Sequence, residues 1–442
     1  MQRFLVHNFG CRASQADGAA IQAGLAAEGL AAVDSYAAAD WVVFNTCTVT
    51  SNADNDLRQA VRRAQRENPA ARIMVTGCYA QRAPEEIAAL PGVSMVVGNS
   101  HKTRIPELIR PRLVQLKTQS EHSYHGEIHV GDIFAQQDFL AAPVEDASGD
   151  RARPNLKIQD GCGNRCSFCI IPSVRGRSRS MPLAQVLDQV RALSADYPEV
   201  VLSGINLGRW GRELGFDSGR GTPLRLAGLV RSLLHETPVA RLRLSSVEPM
   251  DFSTDLLELM ASNPRIARHV HAPLQSGSDS VLRRMHRKYR PRHYEDRVRL
   301  ARQLMPDAAI GADVMTGFPG ESAAEFDESY RFIESLPFTY LHVFTYSERP
   351  GTPAASHSNQ VPIPVRKDRN RRLRELAAAK NLAFRESMVG RTLSAVTLDG
   401  GTRALSSNYL QLELSARQQA RRIVEAIVMR VTASGLAADL IS

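Results

Sequence analysis

The chain has 442 residues, 43% of them hydrophobic and 23% charged, which fits an ordinary folded, soluble protein of two to four domains. No apolar run reaches the ~18 residues that a bilayer-spanning helix needs, which excludes a membrane-spanning chain. Fifty-five Lys and Arg against forty-six Asp and Glu leave a formal charge of +9, an excess that favours a polyanionic partner.

The chain opens on MQRFLVHNFGC, without a basic segment followed by a long apolar core, so no signal peptide is expected and the location reads as cytoplasmic. Over the first 110 residues strand and helix signals alternate. RFLVHN, WVVFNT, ARIMVTG and SMVVGN read as short buried strands, and 15–29, 52–67 and 82–90 as helices. This alternation predicts a parallel sheet with crossover helices. Cys11, Cys47 and Cys78 each fall just past the carboxyl end of one of the first three strands, the edge where open α/β sheets bind ligands. Three thiols distant in sequence could therefore converge on one rim. Residues 118–153 are polar and aperiodic and read as a loose linker, whose His122, His125 and His129 are expected to be solvated rather than metal-bound.

Alternation returns from 154 to 345, with strands expected at NLKIQ (155–159), EVVLSG (199–204), ARLRLS (240–245), RHVHA (268–272), AAIGADV (308–314) and YLHVFTY (340–346). Six βα units suit a partial barrel better than a closed eightfold one, which typically needs about 250 residues. A basic helix follows, VRKDRNRRLRELAAAKNLAFRESM. In the last 55 residues RTLSAVTL, NYLQLEL and RRIVEAIVMRVTA then predict a small all-β, OB-like barrel. The excess charge is local. Residues 281–302 carry nine Lys or Arg and two acids, and 366–374 six bases and one acid. Each window reads either as a solvated helix face or as a surface for a polyanion.

The strongest signal is Cys162-Gly-Asn-Arg-Cys166-Ser-Phe-Cys169. A structural zinc site wants four protein ligands in paired halves, and no second pair exists. Thiolates suit iron–sulfur clusters, and three ligands on a four-iron cubane leave one iron open for a chelating cofactor. This motif, with its aromatic Phe168, resembles the radical SAM superfamily. KIQDGCGNRCSFCIIPSVRGRSRS, HAPLQSGSDSVLRRMHRKY, MTGFPGE and FTYSERPGTPA further resemble the methylthiotransferase family, as do the contexts FGCRASQ, NTCTVT and VTGCY of the first three cysteines. NTCTVT is similar to the branch acting on threonylcarbamoyladenosine beside the tRNA anticodon. Ser14 departs from the Asn that the family often carries there.

The resemblance implies an α/β fold in four parts: an N-terminal parallel α/β methylthiotransferase domain (1–112), a linker (113–150), a partial (β/α)6 radical SAM core (151–378) and a TRAM RNA-binding barrel (379–442). It implies two 4Fe–4S clusters, one on Cys162, Cys166 and Cys169 and an auxiliary one on Cys11, Cys47 and Cys78, with S-adenosylmethionine (SAM) as cosubstrate. The expected partners are the tRNA anticodon stem-loop and an electron donor, and the expected state is a monomer. The expected activity is addition of a methylthio group to carbon 2 of the modified adenosine. That carbon bears an unactivated C–H beyond ordinary acid–base catalysis, and the cofactor supplies the radical chemistry. The same chemistry on isopentenyladenosine tRNA or a ribosomal-protein aspartate, and a non-catalytic iron–sulfur RNA-binding sensor, are the alternatives.

Phe168, Gly204, Asn206, Glu248, Asp313 and Arg175 are the positions expected to bind cofactor. Gly204 and Asn206 follow one strand, where a plain turn is the competing reading. Ser245, Ser246 and Glu248 follow the next, where Glu248 competes as a surface acid. His271 and Gln275 flank a third, and Asp313 and Glu321 bracket GFPG, with a core histidine and a helix cap as the competitors. Arg175, Arg177 and Arg179 are expected at the SAM carboxylate or a phosphate, against a solvated reading.

Overall fold

Strands covered on both faces need apolar residues on both faces, and WVVFNT and RIMVTG meet that demand, buried throughout except at Arg72. They form the middle of a six-stranded, all-parallel sheet in a computed structural model that describes residues 1–48, 51–109, 126–136, 138–141, 152–216 and 223–441. Its strands are β1 (Arg3–Asn8), β2 (Ala31–Ala32), β3 (Trp41–Thr46), β4 (Arg72–Gly77), β5 (Val93–Gly98) and β6 (Glu127–His129), in spatial order β2-β1-β3-β4-β5-β6. Side chains alternate between two apolar layers: Val42, Phe44 and Val75 pack on one face, Trp41, Val43 and Met74 on the other. Asn8 pairs with Asn45 and Thr46 with Gly77, so the ends of β1, β3 and β4 lie side by side.

The central part holds β7 (Asn155–Asp160), β8 (Arg179–Ser180), β9 (Glu199–Gly204), β10 (Arg241–Leu244), β11 (His269–His271), β12 (Ala309–Thr316) and β13 (Tyr340–Thr345). One sheet runs β10-β9-β7-β8 and another β11-β12-β13, and a parallel bridge between Leu242 and Ile266 joins them. Six parallel strands thus make the expected open arc, with helices outside it packed on one continuous apolar core. The basic helix, Ile363–Glu386, leads to a closed barrel of β14 (Thr392–Thr397), β15 (Arg403–Ser406), β16 (Gln411–Leu414), β17 (Ile423–Val431) and β18 (Leu436–Leu440). The barrel is pinned to the core where Arg243, held by Glu199, donates to the carbonyls of Ser406 and Ser407 at 3.0 and 3.1 Å.

Several elements depart from the sequence reading. The expected helix 82–90 breaks into Cys78–Arg82 and Pro84–Ala88, because Ala83 precedes proline and leaves the helical region at φ −143°. The linker is not wholly loose: β6 adds the sixth strand to the first sheet, with His129 2.9 Å from Glu127. His122 and His125 lie outside the described residues. β15 and β18, RALS and LAADL, lack the β-branched runs that mark strands, and barrel closure makes them strands.

Candidate active site

Cys11, Cys47 and Cys78 emerge from three neighbouring strand ends, so sheet register brings them to one rim. Gly10 lets the Cys11 loop approach: its φ is +95°, and a Cβ there would lie 2.5 Å from the Cys47 Cβ. Cys78 is buried against Ile170 and Val174, which flank the second cysteine loop, and Asn99 Nδ2 lies 3.6 Å from its sulfur. The rim therefore faces the open barrel.

Cys162, Cys166 and Cys169 sit on the loop after β7. Together with Cys11 they line a cavity of about 530 Å³ at the carboxyl end of the arc. Each sulfur of this set is in a defined environment. Asn206 Nδ2 lies 3.6 Å from Cys162 Sγ, and Arg287 Nη1 donates to Cys166 Sγ at 3.3 Å. Burial pushes the Cys166 thiol up against the pull of Arg287, and pushes Cys169 up to about 12. Such thiols stay protonated near neutrality and are poor free nucleophiles, and a metal that binds them must displace the proton.

Four expected cofactor positions line the cavity: Phe168, Gly204, Glu248 and Asp313. Phe168 stands edge-on to Phe318 at 6.5 Å. Glu248 pairs with Arg287, and burial raises its pKa more than that arginine lowers it. Gly204 has no room for a side chain, since a Cβ would lie 2.8 Å from Gln159. Asn206 stands behind the cavity, touching it through Cys162. Ser245, Ser246, His271 and Gln275 also line the cavity, and the buried Ser245 Oγ, Asn206 Oδ1 and Gln275 Oε1 have no partner among the described residues. Orphaned polar atoms on the lining residues Ser245 and Gln275 are what a polar cofactor would satisfy.

Arg175 is a correction. It does not line this cavity but is 2% exposed in a buried ionic knot between the first sheet and the barrel. Its guanidinium bonds Asp17 at 3.0 Å and Asp160 at 2.9 Å, while Lys157 meets both acids and Lys102 meets Asp17 at 3.0 Å. Arg179 joins at Asp160, 3.9 Å away, and Arg177 is exposed. Four cations thus surround two carboxylates, and Cys78 and Cys11 lie near enough to help raise the pKa of Arg175. Glu321 is likewise structural, accepting from Gly317 N and Arg369 at 2.7 Å each. The helix cap there belongs to Ser322 and Glu325.

The basic windows also change meaning. Arg287 is 7% exposed at the cysteine site, Arg283 and Arg290 both face Asp279, Arg284 pairs with Glu325, and Arg302 caps backbone carbonyls. In the second window Arg369 pairs with Glu321 and Arg372 with Asp327. Much of the local excess is consumed within the fold.

The sequence reading named His271 and Asp313 but missed the rest of the cavity floor. His269 and His271 both bond the Tyr340 hydroxyl, at 2.7 and 2.8 Å, and Asp313 bonds His271 and His342 at 3.2 Å each. Those two histidines hold the Asp313 carboxyl well below its usual range against the effect of burial. His271, Asp313 and His342 offer ligand atoms within 4.8 Å of one another, but their mutual hydrogen bonds already satisfy them without an ion. Tyr409, from the turn before β16, stacks on His269 at 4.4 Å, so the terminal barrel supplies part of the floor. Pairing across adjacent strands creates this group, and no local motif announces it.

Comparison with known proteins bears on the same geometry. Residues 3–98 match the Uncharacterized protein family UPF0004, and residues 156–333 match the radical SAM superfamily. The superfamily match brings a 4Fe–4S cluster and SAM. The threonylcarbamoyladenosine tRNA methylthiotransferase MtaB of Aquifex aeolicus (strain VF5) is 34% identical over 420 residues, 95% of this chain and 98% of its own length. MtaB of Bacillus subtilis (strain 168) is 38% identical over 369 residues, 83% and 78% of the two chains. A tRNA-2-methylthio-N(6)-dimethylallyladenosine synthase of Parafrankia sp. (strain EAN1pec) is 35% identical over 431 residues, 96% and 83%. The cobalamin-dependent S-adenosylmethionine radical enzyme OxsB shares the fold at a TM-score of 0.50 and 12% identity, covering 86% of this chain and 56% of that one. Relatives named for methylthiolation thus align with nearly the whole chain, both cysteine-bearing parts included, and the chain belongs to the radical SAM methylthiotransferase family.

Proposed function

We propose that this enzyme adds a methylthio group to carbon 2 of threonylcarbamoyladenosine, 3′ of the anticodon in tRNA, using two 4Fe–4S clusters. The observation that carries the reading is the opening of Cys11, from one domain, and of Cys162, Cys166 and Cys169, from another, into the same cavity. Methylthiolation needs a radical source and a sulfur-bearing group within reach of one substrate atom, and the barrel thiols together with Cys11, the lining member of the first set, fit those two positions.

The donor sets suit the groups assigned to them. Three thiols on each side leave one iron of a cubane open. Arg287 and Asn206 direct N–H groups at the sulfurs of the barrel set, and the cation surplus around Arg175 lies beside the first set, where thiolate charge would accumulate. Bound here, a 4Fe–4S cluster and SAM supply radical chemistry strong enough for an unactivated C–H bond. Phe168, edge-on to Phe318, places an apolar ring in the cavity wall beside the cysteine loop. Ser245, Gln275 and the Gly204 backbone are the positions for polar contacts to SAM, and Glu248, fixed by Arg287, faces the same space. The terminal barrel is the proposed RNA-binding part, with eight Lys or Arg and five acids from Ala379 onward.

The deciding experiment is nucleoside mass spectrometry of tRNA from cells with and without the gene. Loss of the 2-methylthio form, with accumulation of threonylcarbamoyladenosine, is expected. Loss of the isopentenyl derivative instead, matching the second group of relatives, would reject the substrate. A companion variant tests the site. Arg287→Glu places a carboxylate beside Glu248 and Cys166, so iron bound at residues 162–169 should fall by half or more after anaerobic reconstitution. Full iron retention, with weakened tRNA binding alone, would return Arg287 to an RNA-contact role.

A further inference from the structure

Sequence identity does not separate the two adenosine substrates, since relatives named for threonylcarbamoyladenosine stand at 34% and 38% and one named for dimethylallyladenosine at 35%. The two substrates differ in charge, so the charges that line the cavity bear on the choice. A threonylcarbamoyl group ends in a carboxylate, whereas a dimethylallyl group is hydrocarbon. The charged lining residues fall into two groups. Arg287 and Glu248 neutralise each other, and Asp313 is engaged by His271 and His342. Arg12 is different. It lines the cavity next to Cys11, it is half-buried, and among the described residues its guanidinium has neither a hydrogen bond nor an ion pair.

The backbone around Arg12 is anchored, since its carbonyl accepts from Asn155 Nδ2 at 3.3 Å, so the side chain projects from a fixed point. Its charge reaches the floor: with burial, Arg243 and His271, it helps to hold His269 well below its ordinary pKa, so the wall is cationic while the floor ring is neutral. A half-buried guanidinium without a partner is a vacant bidentate carboxylate receptor.

Resting on the reaction proposed above, we infer that Arg12 determines substrate choice by pairing with the carboxylate of the threonylcarbamoyl group. The chemistry of adenine fits this placement. Carbon 2 and the N6 substituent share one edge of the ring, with only N1 and carbon 6 between them. A residue beside the thiol set that serves carbon 2 therefore lies beside the N6 substituent as well. An aliphatic substituent would leave Arg12 desolvated and unpaired, a penalty that discriminates against it.

The test uses the full-length, anaerobically reconstituted enzyme and anticodon stem-loop RNAs carrying threonylcarbamoyladenosine, its carboxyl methyl ester, or isopentenyladenosine. With the wild type, the ester should react about 100-fold more slowly in kcat/KM than the acid, the scale of losing a desolvated charge pair. Arg12→Gln should lose about the same factor on the acid and little further on the ester, while Arg12→Lys should recover part of the preference. SAM affinity, measured by equilibrium dialysis, should change less than twofold. Equal losses on acid and ester would assign Arg12 to a phosphate or a structural role, and a tenfold loss of SAM affinity would assign it to the SAM carboxylate; either overturns the inference. If Arg12→Gln fails to load iron, the wild-type ratio decides alone, and equal rates on acid and ester overturn it. A wild type active only on isopentenyladenosine RNA rejects the proposed substrate itself. A wild type active on the threonylcarbamoyl RNA, with Arg12→Gln unchanged, rejects the inference alone.

Discussion

Asp17→Ala is expected to destabilise the protein by about 3–5 kcal/mol, because it leaves buried cations without their counter-charge. Asp17 is 1% exposed and contacts Lys102, Lys157 and Arg175, which come from both sides of the junction between the first sheet and the barrel. With Asp17 gone, Asp160 alone faces Lys157, Arg175 and Arg179, and Lys102 keeps no acid within ion-pair distance among the described residues. Burial by itself would raise both acids, but the surrounding cations win and hold both well below the usual carboxylate range. The sign follows. A carboxylate with a depressed folded pKa contributes fully above its unfolded value of about 3.9 and loses that contribution as pH falls toward the folded value. Chemical denaturation of wild type and Asp17→Asn should therefore show a constant stability gap near neutrality that begins to close below about pH 4. A gap independent of pH down to 3 would mean that packing, not charge, explains the loss. Combining Asp17→Asn with Lys102→Met should restore part of the stability, since the pair is then removed together. The knot also seats the Cys11 rim against the barrel, so variants that fold should still show slower methylthiolation than SAM cleavage.

Cys166→Ala is expected to abolish SAM cleavage and methylthiolation together, whereas Cys47→Ala should abolish methylthiolation but keep reductive cleavage of SAM to 5′-deoxyadenosine. Intact protein should hold about eight irons per chain, and the triple replacement of Cys162, Cys166 and Cys169 about four, from one cubane on each set. Iron analysis of the reconstituted variants, with 5′-deoxyadenosine and modified nucleoside quantified in parallel, reads all three outcomes. Four irons in the intact protein would reject the two-cluster proposal, and normal modification by Cys47→Ala would remove the first domain from the reaction. The two sets separate because their supports differ. Cys162, Cys166 and Cys169 share one loop after β7, while Cys47 depends on β3 and on the close approach of Gly10.

Much of this protein was legible along the chain. The strands at 41–46, 199–204 and 340–345 follow from short β-branched and aromatic runs bounded by turn residues, a signal carried by neighbours in sequence. The three thiols at 162, 166 and 169 are legible for the same reason, since their spacing lies within one loop. Cys11, Cys47 and Cys78 were readable as a group because a parallel α/β sheet sends all its strand ends to one edge. What depends on contacts between distant segments was not readable. Arg175 and Arg287 look alike in sequence, each a base near a motif, yet one is held by Asp17 from 158 residues away and the other meets Cys166 from 121 residues away. Whether a basic side chain touches solvent, a carboxylate or a sulfur is decided by which elements pack over it. The floor of His269, Tyr340 and Tyr409 takes its members from two strands and from a turn of the terminal barrel, so only tertiary assembly makes it a site. Composition set the excess of positive charge, and packing decided that part of the basic windows, Arg287 and Arg369 above all, would spend it inside the fold while Arg12 kept its own facing the cavity.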